Sequence, residues 1–415
     1  MHSKRSPLVT AILILIAIPV AGQSGPPVTV GTLAANLDGS VGGVAVDALG
    51  FVYVADFGEK VWKIDPWGRI EILTDVMYGA SGNAIDGSGN LLQSNFRGNS
   101  IARISRDGSV TTFATGLNGP VGVAVGPDGI VYACNCLGNS ISRIDPAGKV
   151  TELASGDLFN CPNGITTDSG GNVYAVNFSD GRMLKITPSG ESSVLAIIPG
   201  GGNGHVAFAQ PDFYVTGFRA NRIYRVTPEG VVTALAGSGE FAEKDGVGLE
   251  TALSTPNGIA YNPNLDRLYT NTYLTPWPAR FARTERPVSS VRSITFPGLK
   301  ERVDGAFGAG GAEAVRGAVI EYRQGRPGKV NELTMNLLGY EYLRGGEVEQ
   351  AVAIFELGTE FFPKSFNAWD SLAEAYLTRG ERERAAELYR KSLELNPSNA
   401  NATAKLKELE SALSP

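Results

Sequence analysis

The chain has 415 residues, with 36 Lys and Arg against 42 Asp and Glu and a formal charge of −6. An acidic balance of this kind carries no nucleic-acid footprint. Only two histidines are present, one of them His2, so a zinc site built on histidine is excluded as well.

His2, Lys4 and Arg5 give the chain a positive start, and Leu8–Ala21 is apolar. Val20, Ala21 and Gly22 are small residues suited to cleavage before Gln23, so residues 1–22 read as a secretory signal peptide. The other reading is a membrane anchor, for which the apolar run is short. No Cys directly follows the cleavage point to carry a lipid, and no other stretch is apolar enough to span a membrane. The expected location is secreted or periplasmic.

From there a pattern recurs: Gly43-Val-Ala-Val-Asp47, Gly82-Asn-Ala-Ile-Asp86, Gly122-Val-Ala-Val-Gly126, Gly164-Ile-Thr-Thr-Asp168, Gly204-His-Val-Ala-Phe208 and Gly258-Ile-Ala-Tyr-Asn262. The first five glycines lie 39, 40, 42 and 40 residues apart, and 54 separate the last two. A fixed period of this length signals an array of identical supersecondary units. In the third unit, Gly122–Val125, Ile130–Cys134, Ile141–Ile144 and Val150–Leu153 read as short strands separated by Pro127-Asp-Gly129, Gly138-Asn139 and Asp145-Pro-Ala-Gly148. Four antiparallel strands repeated radially make a propeller blade, so the fold class is an all-β six-bladed β-propeller over 28–298 followed by a small all-α domain. The sixth unit lacks a fourth strand, and Val28–Leu33 resembles an outer strand. That segment is predicted to pair into the last blade and close the ring.

Residues just before each opening glycine crowd one mouth of the central channel: Gly42, Ser81, Val121, Asn163, Asn203 and Asn257. The second strands end at the same mouth, at Asp56, Asn95, Asn135, Asn177, Gly217 and Thr272. Carboxamides suit polar ligands, and with a carboxylate they suit Ca²⁺. Asn163, Asn203, Asn257, His205, Asn95, Asn135 and Asn177 are therefore the candidate ligand contacts. Asp56, Asn163 and Asn257 are the candidate metal set, with calcium the possible cation. Asn before Gly is also ordinary turn chemistry, and a lone His is a wall residue or a catalyst. No Gly-x-Ser-x-Gly elbow stands between a strand and a helix. Cys134 and Cys136 stand two apart on one strand and are expected to share a face. Cys136 ends that blade-three strand, Cys161 lies in the loop entering blade four, and the two suit a disulfide in an exported protein; buried free thiols are the alternative.

Residues 299–330 are Gly-rich and charged, and read as a linker with a short helix at Ala312–Arg323. A second period, of 34 residues, then pairs Leu338 with Leu372, Tyr342 with Tyr376, Gly346 with Gly380, Ala351 with Ala385 and Pro363 with Pro397. This resembles the tetratricopeptide repeat: Trp369, Leu372, Ala373, Tyr376, Ala385, Tyr389 and Pro397 carry the family's positions, with Met335 departing at the first unit's Trp position. Residues 331–413 are expected to hold two repeats and a capping helix, implying a groove for a protein or peptide partner; a stabilising or dimerising appendage is the alternative.

The blades resemble NHL-repeat propellers and the gluconolactonase-like superfamily. The carrying residues are the Pro-Asn-Gly-Ile openings at Pro162–Ile165 and Pro256–Ile259 and the strands Val52–Asp56, Val131–Asn135 and Val173–Asn177. The insertion containing Ala236–Glu240 and Asp245–Gly248 looks like a long NHL blade connection. The resemblance implies propellers that include lactonases, lyases and binding modules. Lactonases of the superfamily hold one divalent cation through a Glu, two Asn and a catalytic Asp. Here the first blade opens as Val41-Gly42-Gly43, without the Glu, and blade five offers Asn203 where the Asp would be. The expectation is an exported module binding a small polar or sugar-like ligand, or a protein segment, at the Asn-rich mouth, with the helical repeats adding a protein contact. The alternatives are a divalent-metal-dependent lactonase or esterase and a scaffold that only binds proteins.

Overall fold

The computed structural model describes residues 27–275, 287–325 and 329–413; the expected signal peptide lies outside them. Six sheets follow one another along the chain. In the third, Pro120–Val125, Val131–Asn135, Ser140–Ile144 and Val150–Ser155 pair antiparallel in sequence order, and blades one, two, four and five repeat this arrangement. The turns come from local side chains. Asp47, Asp65, Asp86, Asp145 and Asp168 each accept two backbone N–H groups from residues two and four further on. At Thr187 and Thr227 a hydroxyl takes this role for the residue four on.

Apolar residues alternate along the strands and meet across each seam between blades. The core is therefore six separate inter-blade clusters, such as Val44, Val52, Val54, Ile64, Tyr269 and Val291 between blades six and one. Blade six contains Ile259–Asn262, Arg267–Tyr273 and Val288–Thr295, and Thr29–Asp38 pairs antiparallel with the last of these. The predicted closure is thus present and runs further than Val28–Leu33.

The insertion before blade six adds an element that the sequence pattern did not suggest. Gly246–Val247 pairs with Val30 and Thr29, so it covers the outer edge of the closing strand. Arg292, fully buried, holds this edge. Its Nη1 donates to Glu243 Oε2 at 2.5 Å and its Nη2 to Asp245, while Asp245 also accepts from Thr32 N and Oγ1. Ser290 Oγ bonds the same Glu243 carboxylate at 3.0 Å. One guanidinium therefore ties together the insertion, the closing strand and the strand it closes on.

The segment expected as a linker is largely helical. Helix α1 spans Leu299–Gly325, broken at Gly310 and Gly311. Its Leu299, Val303, Val315 and Val319 are buried in the core of the helical domain. Tyr342 donates to Asp304 Oδ1 at 2.8 Å, and Arg316 pairs with Glu360. The apolar residues recur at four-residue steps, and packing outweighs the glycine composition that suggested a loop. Five helices follow: α2 Glu332–Gly345, α3 Val348–Phe361, α4 Phe366–Arg379, α5 Arg382–Leu395 and α6 Ala400–Leu413. Asn331 and Ser365 cap α2 and α4, and left-handed Gly346 and Gly380 end them, which reproduces the 34-residue period in backbone geometry.

The helical domain docks on the face opposite the mouth. Glu321 pairs with Arg225 of blade five at 3.5 Å, Lys329 Nζ donates to Asn264 O at 3.1 Å, and Gly325 packs against Gln210 O. Asn264 and Gln210 lie in turns joining first to second strands, which project away from the channel opening.

Replacing Arg292 by Met is expected to destabilise the protein by about 3 kcal/mol, because two carboxylates lose the cation that held them beside the closing strand. The midpoint of urea unfolding measures this. A loss under about 1 kcal/mol would show that the clasp contributes no more than a surface pair.

Candidate functional site

The inner strands meet at the six repeating glycines, where no side chain fits. A Cβ added at Gly43 would lie 2.6 Å from Gly82 Cα, at Gly82 2.3 Å from Val121 O, and at Gly122 2.3 Å from Asn163 O. At Gly164 it would lie 2.4 Å from His205 Cα, at Gly204 2.5 Å from Asn257 O, and at Gly258 2.5 Å from Val44 N. Each blade's backbone therefore touches the next. Gly43 N donates to Ser81 O, and His205 N to Asn257 O.

This contact explains two of the asparagines. Asn163 Nδ2 donates across the seam to Asn203 O and Gly204 O at 3.1 and 2.9 Å. Asn257 Nδ2 donates to Val41 O and Gly42 O at 3.1 and 3.0 Å. Both side chains also line the mouth, a cavity of about 200 Å³. Asn203 does not line it: its side chain is fully buried, with neither amide atom paired among the described residues.

The strand-end asparagines hold loops. Asn95 Oδ1 accepts from Tyr78 N, Asn135 Oδ1 from Asn118 N, and Asn177 Nδ2 donates to Leu158 O. Each fixes the segment that enters its own blade. Asn99, Asn139 and Asn221 reach instead to the segment entering the following blade, accepting from Gly119 N, Cys161 N and Thr255 N. These three stand in left-handed backbone and were read from sequence only as turn residues, if at all. Of the asparagines expected at the rim, Asn95, Asn135 and Asn177 thus serve as loop fasteners, while Asn163 and Asn257 line the mouth.

His205 is also displaced from the expected place. Its position in the repeat holds Val44, Val123, Ile165 and Ile259 in four other blades, all in inter-blade cores. His205 occupies the same kind of site, is buried, and does not line the mouth. Desolvation lowers its pKa to about 4, so the ring is neutral at pH 7.

What lines the mouth is mainly apolar. In blades one to five a residue just beyond the second strand lines it: Phe57, Phe96, Cys136, Phe178 and Phe218. Val41, Val121 and Ser81 lie below them, and Cys161 completes the wall through its disulfide to Cys136. Cys136 lies one residue beyond its strand, so it does not share the buried face of Cys134, which packs between blades three and four. Phe57 and Phe96 have ring centroids 5.5 Å apart, and Phe178 and Phe218 5.9 Å apart. The Arg219 guanidinium rests over Phe178 at 5.3 Å. Phe57 holds φ of +56°, a rare conformation for an aromatic residue and one that concentrates at ligand sites.

The metal set is not assembled at this mouth. Asp56 Oδ1 accepts from Gly58 N and Lys60 N at 2.6 and 3.0 Å, and Asp56 does not line the cavity. Burial raises its pKa against those bonds. Among the described residues no cluster of three or more His, Cys, Asp or Glu could share an ion. The lining oxygens belong to two amides and a hydroxyl, and neutral ligands alone fit Ca²⁺ poorly.

With this geometry in view, comparison with known proteins is informative about class. Residues 58–270, just over half of the chain, match the Virginiamycin B lyase family, and the chain belongs to that family. Residues 366–409 match the tetratricopeptide repeat. Among solved structures, a gluconolactonase from Xanthomonas campestris is 16% identical over 68% of this chain and 99% of its own, with a TM-score of 0.50. An auxiliary nutrient binding protein from Bacteroides ovatus is 17% identical over 65% and 77%, with a TM-score of 0.52. A virginiamycin B lyase from Staphylococcus aureus, solved with quinupristin, is 19% identical over 60% and 80%, with a TM-score of 0.45. At these identities the structures attest to the propeller fold alone. No curated protein matches the chain.

The His205 environment has a pH consequence. Its folded pKa lies below the ordinary 6.5, so the unfolded chain takes up the proton first as pH falls. Stability is therefore lost between pH 6.5 and 4, by about 3 kcal/mol for this group. His205→Val should remove that share, and unfolding free energies at pH 7 and pH 4 measure it. Equal pH dependence in both proteins would contradict a buried neutral imidazole.

Proposed function

We propose that the protein is an exported binding module that captures a small ligand at the propeller mouth and contacts a protein through its helical repeats. The observation that carries this reading is the 200 Å³ cavity walled by Phe57, Phe96, Phe178 and Phe218, with amide oxygens beneath and no carboxylate in its lining. A hydrolase needs a group to activate water, and this lining offers none. A binding pocket needs apolar walls and a few convergent polar groups, which it has. The apolar collar shifts the expected ligand from a sugar toward a molecule with an apolar body. Export is supported by the apolar stretch Leu8–Ala21 and by the disulfide. A protein contact for the helices is supported by their tetratricopeptide match and their position away from the mouth.

The test uses 1-anilinonaphthalene-8-sulfonate as a fluorescent probe of the full-length protein. Phe57→Ala with Phe96→Ala is expected to weaken its binding about tenfold, while the melting temperature moves little because both rings are half-exposed. Unchanged affinity would remove the mouth as the site. The same protein is assayed against a lactone panel with and without Ca²⁺ or Zn²⁺. Metal-dependent turnover, with a metal-dependent rise in melting temperature, would replace the binding reading by the hydrolase one.

A further inference from the structure

The polar atoms left free in the mouth are specific enough to define the ligand's chemistry, on the reading that the mouth is the binding site. Asn163 and Asn257 spend their Nδ2 groups on backbone carbonyls of the next blade, two carbonyls each. A carboxamide whose NH₂ is so engaged has only its oxygen to offer. Neither Oδ1 accepts a bond from the described residues, and neither is among the sealed unpaired polar atoms. The third polar lining residue, Ser81, adds one hydroxyl. The floor is thus dominated by acceptors fixed in direction by the staples that hold the ring together.

The walls define the shape. Blades one and two lie across the ring from blades four and five. The pair Phe57 and Phe96 therefore stands opposite the pair Phe178 and Phe218. The rings within the pairs are tilted by 40° and 58°, so they offer both faces and edges to the cavity, and aromatic groups favour offset or edge contacts with another ring. An enclosed apolar cavity of about 150 Å³ takes up benzene, so the 200 Å³ here admits one or two fused rings.

We propose that the mouth selects a flat one- or two-ring aromatic ligand that donates a hydrogen bond, through a ring N–H or an attached O–H, to Oδ1 of Asn163 or Asn257. An aromatic group bearing only acceptors would meet two carbonyl-like oxygens and pay for their desolvation without a bond.

Ligand pairs test this without disturbing the staples, since removing Asn163 or Asn257 could unfold the ring. Indole and benzofuran share size and shape but differ in the ring N–H. Calorimetric titration of the full-length protein is expected to show indole binding about tenfold tighter than benzofuran. Phe178→Ala should weaken indole by a similar factor. Equal affinities for the two would overturn the donor requirement while leaving the mouth as an apolar site. If neither binds but the anilinonaphthalene probe still responds to the Phe57 and Phe96 substitutions, the proposed ligand class is wrong and the mouth stands. If the probe ignores those substitutions too, both fall.

Discussion

Six glycines in backbone contact set the geometry of everything else in the propeller. With a Cβ at Gly82 only 2.3 Å from Val121 O, a side chain at any of these positions would push one blade outward. Because Thr29–Asp38 and the Arg292 clasp close the ring, a displaced blade cannot swing free. It must strain both of its seams. The close approach also leaves carbonyls of one inner strand facing the next blade, where buried acceptors need donors. Asn163, Asn257, Ser94 and Thr216 supply them.

That demand divides the labour at the mouth. Asn163 and Asn257, which precede two of the hub glycines, are committed to holding neighbours together, and each keeps only its side-chain oxygen free. The next layer out carries no such duty. Positions 57, 96, 136, 178 and 218 lie just beyond the second strands and line the mouth. Four of the five are Phe, and the fifth, Cys136, is tied to Cys161 by the disulfide. On the proposed reading of the mouth, ligand preference would be written mainly in the loop layer, with Asn163 and Asn257 supplying fixed acceptors beneath it.

The repeat, the closure and the helical hairpins were legible because each rests on a periodic or local signal: glycine every forty residues, Asp turns, Gly346 and Gly380. The site was less so. Asn95, Asn135 and Asn177 have the same composition and placement whether they bind a ligand or fasten a loop. Only the partner atoms distinguish the two, and those come from residues some 17 to 19 positions away. The collar had a signal, since Phe57, Phe96, Phe178 and Phe218 occupy one register of the repeat, but an aromatic beside a strand ordinarily reads as core. His205 was recoverable from the same alignment of blades, where Val, Val, Ile and Ile stand in its place. In α1 the glycines masked a four-residue apolar step that only the presence of α2 and α3 makes meaningful.

Blade six runs covalently into the helices, since Val288–Thr295 leads directly to α1. Blade five forms a second, non-covalent link between the two ends of the molecule. Its strand Asp212–Gly217 begins at the helical junction, where Asp212 accepts from Arg225 at 2.7 Å and Arg225 reaches Glu321. It ends one residue before Phe218 in the collar. About six residues of extended chain span roughly 20 Å, all of them buried. The neighbouring inner strand of the same blade carries the unpaired Asn203 and the neutral His205. Blade five thus combines the contact with the helices, part of the aromatic wall and the least satisfied polar groups of the hub. An event at Glu321 that shifted this strand would reach Phe218 without passing through another blade.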